Sequence, residues 1–197
     1  MSRASRSARR RRPRGHRRGI TAGSEGVIDP DMVALFEMFL PSITPLASCV
    51  PRPSPRPFRY MVRDTEQQGL CLWDGHLVAT TLQGANASQE EIISVVPNRH
   101  LERQRWPLFL GIRGGTWALS CGTGPEPRLS LEDVGVMELF SADKDRATPF
   151  TFYKTFGGST HTFEAAAFPG LFLSTAPGEE LALAPPPGAT AFYLRRM

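Results

Sequence analysis

The sequence has little cysteine and lacks the motifs of common enzymes. Its three cysteines are Cys49, Cys71 and Cys121. Three thiols cannot form a closed disulfide framework, and no two of them have metal-ligand spacing. No glycine-rich phosphate loop, nucleophile elbow or His-Glu-x-x-His motif occurs. We therefore expect no enzyme, no catalytic residues, no small-molecule substrate, no cofactor and no bound metal.

The excess positive charge lies at the N-terminus. Residues 1–18 hold nine of the 23 basic residues and no acidic residue. From residue 58 onward, 12 Arg and Lys residues stand against 15 Asp and Glu residues, a formal charge of −3. The pI near 9.3 therefore describes the N-terminal extension. We expect no nucleic-acid-binding domain.

Residues 1–31 form an Arg-rich extension with very few apolar side chains. Such a segment cannot bury enough surface to fold, so we expect disorder. The run Arg9-Arg10-Arg11-Arg12-Pro13-Arg14 has the composition of a nuclear-localisation or polyanion-binding patch. No aromatic residue lies within it to stack on bases. A solvated tail, or residues absent from the mature protein, is the better interpretation.

An apolar segment at residues 32–49 ends in Ala47-Ser48-Cys49. It is short and interrupted by a glutamate and two prolines, so we expect no stable membrane insertion. It is similar to the hydrophobic region and cleavage site of a signal peptide, for a chain begun at Met32. The alternative is a short amphipathic helix that starts at Asp29-Pro30-Asp31. We favour the signal peptide.

The prolines of residues 50–57 predict an extended linker, and a domain is expected at residues 58–197. Within that domain, short β-rich runs alternate with turns such as Asp74-Gly75 and Gly157-Gly158. Twelve such runs occur: Leu70–Trp73, Leu77–Leu82, Ile92–Val96, Leu108–Ile112, Trp117–Ser120, Leu129–Leu131, Val136–Phe140, Phe150–Lys154, Thr160–Phe163, Phe172–Ser174, Leu181–Leu183 and Ala191–Leu194. This pattern predicts an all-β sandwich or a barrel-like β-trefoil. A trefoil needs three similar units, and the runs divide near Arg105 and Pro149.

Recognition is the remaining function that the residues support. Arg, Trp and Tyr outside a core are the usual interface anchors. The candidates are Arg63, Trp73, Arg103, Arg105, Trp106 and Tyr193. Trp73 and Trp106 fit a core position equally well. Asn86-Ala87-Ser88 is an N-glycosylation sequon, which becomes relevant if the chain enters the secretory pathway.

The C-terminal part carries a specific motif. Residues 163–175 read FEAAAFPGLFLST, and Leu183 follows eight residues later. With FTFY at residues 150–153 and MEL at 137–139, this segment resembles the interleukin-1 family. The resemblance covers essentially all of residues 58–197. It implies a β-trefoil of about twelve strands and so decides between trefoil and sandwich.

Within that family, the chain resembles the receptor-antagonist branch, and its matches are divided among three members. Segments 77–84, 94–99 and 108–121 carry this resemblance. Gln67, Gln83 and Tyr193 match receptor-facing residues of an antagonist by position. Arg63 and Thr81 align with two further receptor-facing positions, where the antagonist has Trp and Tyr. This exchange bears on which receptor is bound.

The resemblance also implies a partner and a mechanism. A family agonist binds its primary receptor and then recruits an accessory chain, whereas an antagonist occupies the first receptor only. The short segment 184–189, mostly Pro and Gly, suits a failure to recruit. We therefore expect a secreted monomer that binds the extracellular domain of an interleukin-1-type receptor as an antagonist. The alternatives are an agonist of the same family and an intracellular β-trefoil interaction protein with a basic nuclear or polyanion-binding tail.

Overall fold

The computed structural model describes residues 27–42 and 51–197. Its twelve strands in residues 51–197 are β1 (Phe58–Arg63), β2 (Gly69–Trp73), β3 (His76–Thr80), β4 (Ile93–Pro97), β5 (Pro107–Ile112), β6 (Trp117–Ser120), β7 (Ser130–Glu132), β8 (Thr151–Phe156), β9 (His161–Ala165), β10 (Phe172–Ser174), β11 (Ala182–Ala184) and β12 (Tyr193–Arg196). The α-helices of the described segments are α1 (Pro30–Phe39), α2 (Val136–Phe140) and α3 (Lys144–Ala147). Short 3-10 turns lie at Gly84–Gln89, Arg103–Arg105, Arg113–Gly115 and Thr148–Phe150.

Six of the strands form a barrel. Strand β1 pairs with β12 on one side and with β4 on the other, and the order continues through β5, β8 and β9. All of these pairs are antiparallel. A bridge between His161 and Phe192 returns β9 to the start of β12 and closes the ring. Inward-facing side chains of these strands fill the barrel interior, and all six residues of β5 are buried.

The other six strands form three hairpins: β2 with β3, β6 with β7, and β10 with β11. Each hairpin lies in sequence between two barrel strands, so the units are β1–β4, β5–β8 and β9–β12. This threefold pattern is the β-trefoil, which confirms the predicted fold class. The expected unit boundary near Arg105 is confirmed. The boundary near Pro149 is wrong, because β8 pairs with β5 and ends the second unit.

One turn shows how local sequence sets the hairpins. Trp73 pairs with His76, which leaves Asp74-Gly75 as a two-residue loop. Both loop residues have positive φ, 48° for Asp74 and 79° for Gly75. A type I′ turn requires this conformation at both positions, and Asp-Gly is one of the pairs that adopt it readily.

The sequence-based prediction of a strand at Val136–Phe140 is wrong, because these residues form helix α2. Val136 and Leu139 are both buried, three residues apart, which is helical spacing. The two methyl groups of Val136 pack against two glycines: a Cβ at Gly111 would lie 2.7 Å from Cγ1, and a Cβ at Gly115 would lie 2.7 Å from Cγ2. The helix therefore fits a recess that these glycines leave in the second unit.

Helix α1 begins where its sequence provides a cap. The side chain of Asp29 accepts a hydrogen bond from the amide of Met32 at 3.3 Å, and Pro30 occupies the first helical position. The helix ends before Pro41. Its buried residues are Met32, Leu35, Phe36 and Phe39, which form one helical face.

This helix is the alternative that the sequence offered for the start of segment 32–49. Cleavage of that segment as a signal peptide stays a prediction, and residues 43–49 lie outside the described segments. Of the extension at residues 1–31 that is expected to be disordered, residues 1–26 also lie outside the described segments, whereas Pro30 and Asp31 begin helix α1. Residues 51–57 contain no helix or strand, as the predicted linker requires. None of the described helices has the length and apolar character needed to cross a bilayer.

Candidate functional site

Within residues 27–42 and 51–197, no group of three or more His, Cys, Asp or Glu residues could hold a metal ion. A cavity of about 30 Å³ inside the barrel is lined by apolar side chains and Gly111. This volume holds about one water molecule, so the cavity does not form a substrate pocket.

The cysteines and histidines of the trefoil lie apart. Cys71 and Cys121 are free and buried, and burial raises the pKa of both thiols. His76 lies near the surface, whereas Nε2 of His100 contacts a backbone carbonyl at 2.7 Å. The ring of His161 stacks on a phenylalanine, with centroids 4.9 Å apart. Cys49 is outside the described segments.

The end of β1 and the start of β12 form a direct residue pair, Arg63 opposite Tyr193. Tyr193 is 40% exposed. The Arg63 guanidinium turns toward Glu90, whose side chain is almost fully buried. Nη1 of Arg63 lies 2.6 Å from one carboxylate oxygen, and Nη2 donates to the other at 3.0 Å. This two-point contact holds Arg63 in one orientation beside the exposed tyrosine ring.

Gly69 provides the space for this ion pair. A Cβ at Gly69 would overlap Nη1 of Arg63. It would also lie 2.6 Å from a methyl carbon of Leu82 and 2.9 Å from Oε1 of Glu90. The first strand of the β2–β3 hairpin can approach Arg63 this closely only because residue 69 has no side chain.

The segment after β3 runs alongside the same ion pair. Strand β3 ends at Thr80, which pairs with Gly69. Thr81 and Gln83 flank Leu82, and both are exposed. The carbonyl of Gln83 accepts a hydrogen bond from the amide of Asn86 at 3.2 Å. The exposed Asn86 of the sequon therefore lies one turn beyond Gln83.

Gln67 lies in the turn between β1 and β2. It is exposed and has a φ of 64°. The buried Asp64 holds this turn, because its Oδ1 accepts hydrogen bonds from the amides of Glu66 and Gln68, both at 2.9 Å. Its Oδ2 accepts from the hydroxyl of Thr175 at 3.0 Å. The turn is therefore anchored to the third unit of the trefoil.

The structure thus pairs Arg63 with Tyr193 and places Thr81 and Gln83 next to Leu82, whose side chain lies near Gly69 beside the Arg63–Glu90 ion pair. Gln67 lies in the turn that follows β1. We call this set the Tyr193 patch: Arg63, Gln67, Thr81, Gln83 and Tyr193. Sequence reasoning missed the residues that support it, Asp64, Gly69 and Glu90. An Asp before a polar turn is a recognisable signal for Asp64. No local signal marks Glu90 as the partner of an arginine 27 positions away.

The remaining candidate anchors are distributed elsewhere. Trp73 is 73% exposed at the tip of the β2–β3 hairpin. Trp106 packs edge-on against a phenylalanine of helix α1, with ring centroids 5.1 Å apart. Arg105 lies 3.8 Å above a tyrosine ring and pairs with a glutamate. Arg103 contacts helix α1. Of these four residues, only Trp73 is an aromatic residue whose ring is largely exposed and available to a partner.

Comparison with known proteins gives consistent matches. The family model for interleukin-1 / 18 matches residues 82–184. The human interleukin-36 receptor antagonist protein is 43% identical over 118 residues, which are 60% of this chain and 76% of that protein. Human interleukin-1 family member 10 is 41% identical over 115 residues, 58% of this chain and 74% of that protein. The human interleukin-1 receptor antagonist protein is 42% identical over 118 residues, 59% of this chain and 63% of that protein.

Solved structures match the trefoil in the same way. A chicken interleukin-1 cavity mutant has a TM-score of 0.61 and 31% identity, and the match covers 71% of this chain and 95% of that one. The NMR structure of interleukin-36alpha has a TM-score of 0.54 and 26% identity, with 70% and 94% covered. The fold and these comparisons define a β-trefoil of the cytokine class. The chain belongs to the interleukin-1 family, as the motif at residues 163–175 predicted.

Proposed function

We propose that this protein is a secreted ligand that binds an interleukin-1-type receptor as an antagonist and damps inflammatory signalling. The observation that carries the proposal is its identity of more than 40% to proteins named as antagonists of two different receptors. The Tyr193 patch supplies the surface for the first receptor. The protein then acts by occupying that receptor without recruiting the accessory chain.

The patch has the features of a recognition surface. Tyr193 offers a rigid ring and a hydroxyl, a combination common in binding hot spots. Gln67 and Gln83 are exposed side chains that can donate and accept hydrogen bonds. Arg63 is already held by Glu90, so less side-chain entropy is lost on binding. Arg63 and Thr81 replace the aromatic residues expected at these positions, so receptor choice depends more on polar contacts.

The connection between β11 and β12 supports the antagonist role. Its Gly188 amide donates to the carbonyl of Pro185 at 2.8 Å. The amide of Thr190 donates to Leu173 at 3.1 Å, and its hydroxyl accepts from Thr175 at 2.8 Å. A short loop held down in this way suits a failure to recruit a second receptor chain.

The remaining parts of the proposal follow from this role. The protein acts as a monomer, without enzymatic activity, cofactor, metal or nucleic-acid partner. Segment 32–49 serves as a signal peptide in a chain begun at Met32, and Asn86 accepts a glycan. An agonist is the second candidate, since the similar interleukin-36alpha structure is titled a pro-inflammatory cytokine.

Binding to receptor ectodomains tests the surface. Purified protein is passed over immobilised primary receptors for interleukin-1 and interleukin-36, and affinity is measured by surface plasmon resonance. Tyr193→Ala should weaken binding by at least about tenfold at the receptor that is recognised. Trp117→Ala is the matched control, because Trp117 is 41% exposed but lies on β6 in the second unit. Equal effects of the two variants would place the receptor contact elsewhere.

A further inference from the structure

One end of the barrel is covered by helix α1. Because neighbouring barrel strands are antiparallel, β1, β5 and β9 begin at the end where β4, β8 and β12 stop. The three hairpins connect strands at the opposite end. Among the described elements, helix α1 contacts the hairpin-free end through strands β1, β8 and β12.

The contact centres on a buried ion pair. Nζ of Lys154, near the end of β8, lies 2.6 Å from Oδ2 of Asp29, the residue that caps helix α1. Their side chains are 1% and 3% exposed. Burial lowers the pKa of Lys154, and the hydrogen bond to Asp29 opposes this shift. A buried ammonium group is strongly unfavourable without such a partner.

A second carboxylate and an apolar face complete the contact. The hydroxyl of Tyr60 donates to Oδ2 of Asp31 at 2.9 Å, and Nη1 of Arg196 lies 3.7 Å from Oδ1. Met32, Leu35 and Phe36 are completely buried against the trefoil. Further along, Phe39 meets Phe140 edge-on, with centroids 5.2 Å apart.

These features define the chemistry of the occupant. The barrel end presents Lys154 within an apolar rim that includes Trp106 and Phe140, with Tyr60 and Arg196 beside it. It therefore fits an amphipathic helix that carries one carboxylate at its N-cap and another in its first turn. Asp29 and Asp31 supply both carboxylates in this chain, and the buried face of α1 matches the rim.

We propose that the barrel end is a helix-binding site and that residues 29–40 occupy it as a non-covalent plug. The plug stays bound when the linker at residues 51–57 is cut, and the Asp29–Lys154 ion pair gives it specificity. The secreted form proposed above, begun at Met32 and cleaved after segment 32–49, lacks residues 29–40 and is therefore the unplugged form. The proposal does not depend on the proposed antagonist function.

The plug leaves the Tyr193 patch open. Asp31 contacts Tyr60 and Arg196, which pair across β1 and β12. Arg63 and Tyr193 pair three residues farther along the same two strands, about 10 Å away at the rise of a β-strand. Plugged and unplugged forms therefore present the same patch and differ at the opposite end of β1.

Cleavage of the folded full-length protein tests the plug. A site-specific protease sequence replaces residues 52–56, which are largely exposed and have no regular structure. The N-terminal fragment is fluorescently labelled, the folded protein is cut, and retention is followed by gel filtration and by anisotropy on dilution. The wild-type fragment should elute with the trefoil.

Variants of three carboxylates on the same fragment separate a specific plug from a general apolar contact. Asp29→Asn keeps a good N-cap but loses the buried ion pair, so fragment affinity should fall at least about a hundredfold. Asp31→Asn, at a half-exposed position, should cause a smaller loss of about tenfold. Glu37→Gln removes the Glu37–Arg103 pair, whose side chains are 47% and 39% exposed, and should change little.

Two outcomes would overturn the proposal. One is separation of the wild-type fragment immediately after cutting. The other is equal retention of the Asp29→Asn, Asp31→Asn and Glu37→Gln fragments. Near-UV circular dichroism before cutting shows whether each variant is folded. If Asp29→Asn does not fold, the retention of Asp31→Asn compared with that of Glu37→Gln still tests the proposal, because neither substitution alters a buried ion pair.

Discussion

Lys154 and Asp29 lie 125 positions apart in the sequence, yet their charged atoms are 2.6 Å apart in the interior. The pair joins the helix that precedes the linker to the second unit of the trefoil. A lysine within a barrel strand is unfavourable unless its charge is matched, and Asp29 matches it. Asp29 therefore has two roles: it caps helix α1 and it balances the charge of Lys154 in the barrel.

A double-mutant cycle on this pair has a defined expected result. Asp29→Asn and Lys154→Met each leave one buried group without its partner, so each should lower the free energy of unfolding by about 3 kcal/mol. The double variant should recover most of this loss, because no charge then remains unmatched. Urea denaturation measures all four proteins. Strictly additive losses would show that the two groups do not interact.

Gly69→Ala should disturb the Tyr193 patch through the side chains that support it. The added methyl group would displace the Arg63 guanidinium and the Leu82 side chain, so receptor affinity should fall about tenfold and stability by about 1–3 kcal/mol. Gly124→Ala is the control, because a Cβ there meets nothing within 4 Å. Binding and thermal melting are measured for both. If Gly69→Ala keeps the receptor affinity and melting temperature of the wild type, the ion pair adapts to the methyl group and does not shape the patch.

His161 should make the protein less stable at mildly acidic pH. Burial, reinforced by the charge of Lys154, lowers its pKa to about 4. An unfolded histidine titrates near 6.5, so the unfolded state binds more protons between pH 6.5 and 4. The stability contributed by neutral His161 is therefore present above pH 6.5 and is lost as the pH falls toward 4.

Urea midpoints at pH 7.5 and 5 measure this effect. The wild-type midpoint should fall more than that of His161→Gln over this interval. His76→Gln, which replaces an exposed histidine, should behave like the wild type. The comparison isolates the imidazole because both variants keep every carboxylate. Parallel pH dependence in all three proteins would contradict the assignment.

Asn86 should carry one N-linked glycan when the protein passes through a secretory pathway. Asn86 is exposed in the 3-10 turn Gly84–Gln89, so a transferase can reach it. Intact-mass measurement before and after enzymatic deglycosylation detects the glycan. Ser88→Ala removes the acceptor sequence and should abolish the mass difference. Identical masses for wild type and Ser88→Ala would show that the site stays empty.

Much of the fold is predictable from short-range pattern. Eleven of the twelve runs correspond to strands, because period-two alternation and turn pairs such as Asp74-Gly75 are local signals. Strand β1 was not among the predicted runs, although its burial alternates with period two, which is a local strand signal. Val136–Phe140 was assigned to a strand, although Met137, Glu138 and Leu139 all have high helix propensity. The two glycines that receive helix α2 lie more than 20 positions earlier, so the contact is not visible locally.

The site was predictable only in part. Its five residues came from resemblance, and pairing of β1 with β12 explains why Arg63 and Tyr193 meet. Their supports, Glu90 and Gly69, depend on tertiary contacts that composition does not reveal. The same limit applies to helix α1. Its capping residues were visible in the sequence, but its ion pair with Lys154 was not.

A reporter assay tests the central claim most directly. Cells that express the primary receptor and accessory chain for interleukin-1, or those for interleukin-36, receive the purified protein alone and then with the matching agonist. We expect no signal from the protein alone and a dose-dependent loss of agonist signal at one receptor pair. Tyr193→Ala should shift the inhibition curve to at least about tenfold higher concentration, whereas Trp117→Ala should not. Activation by the protein alone would contradict the antagonist account and identify an agonist.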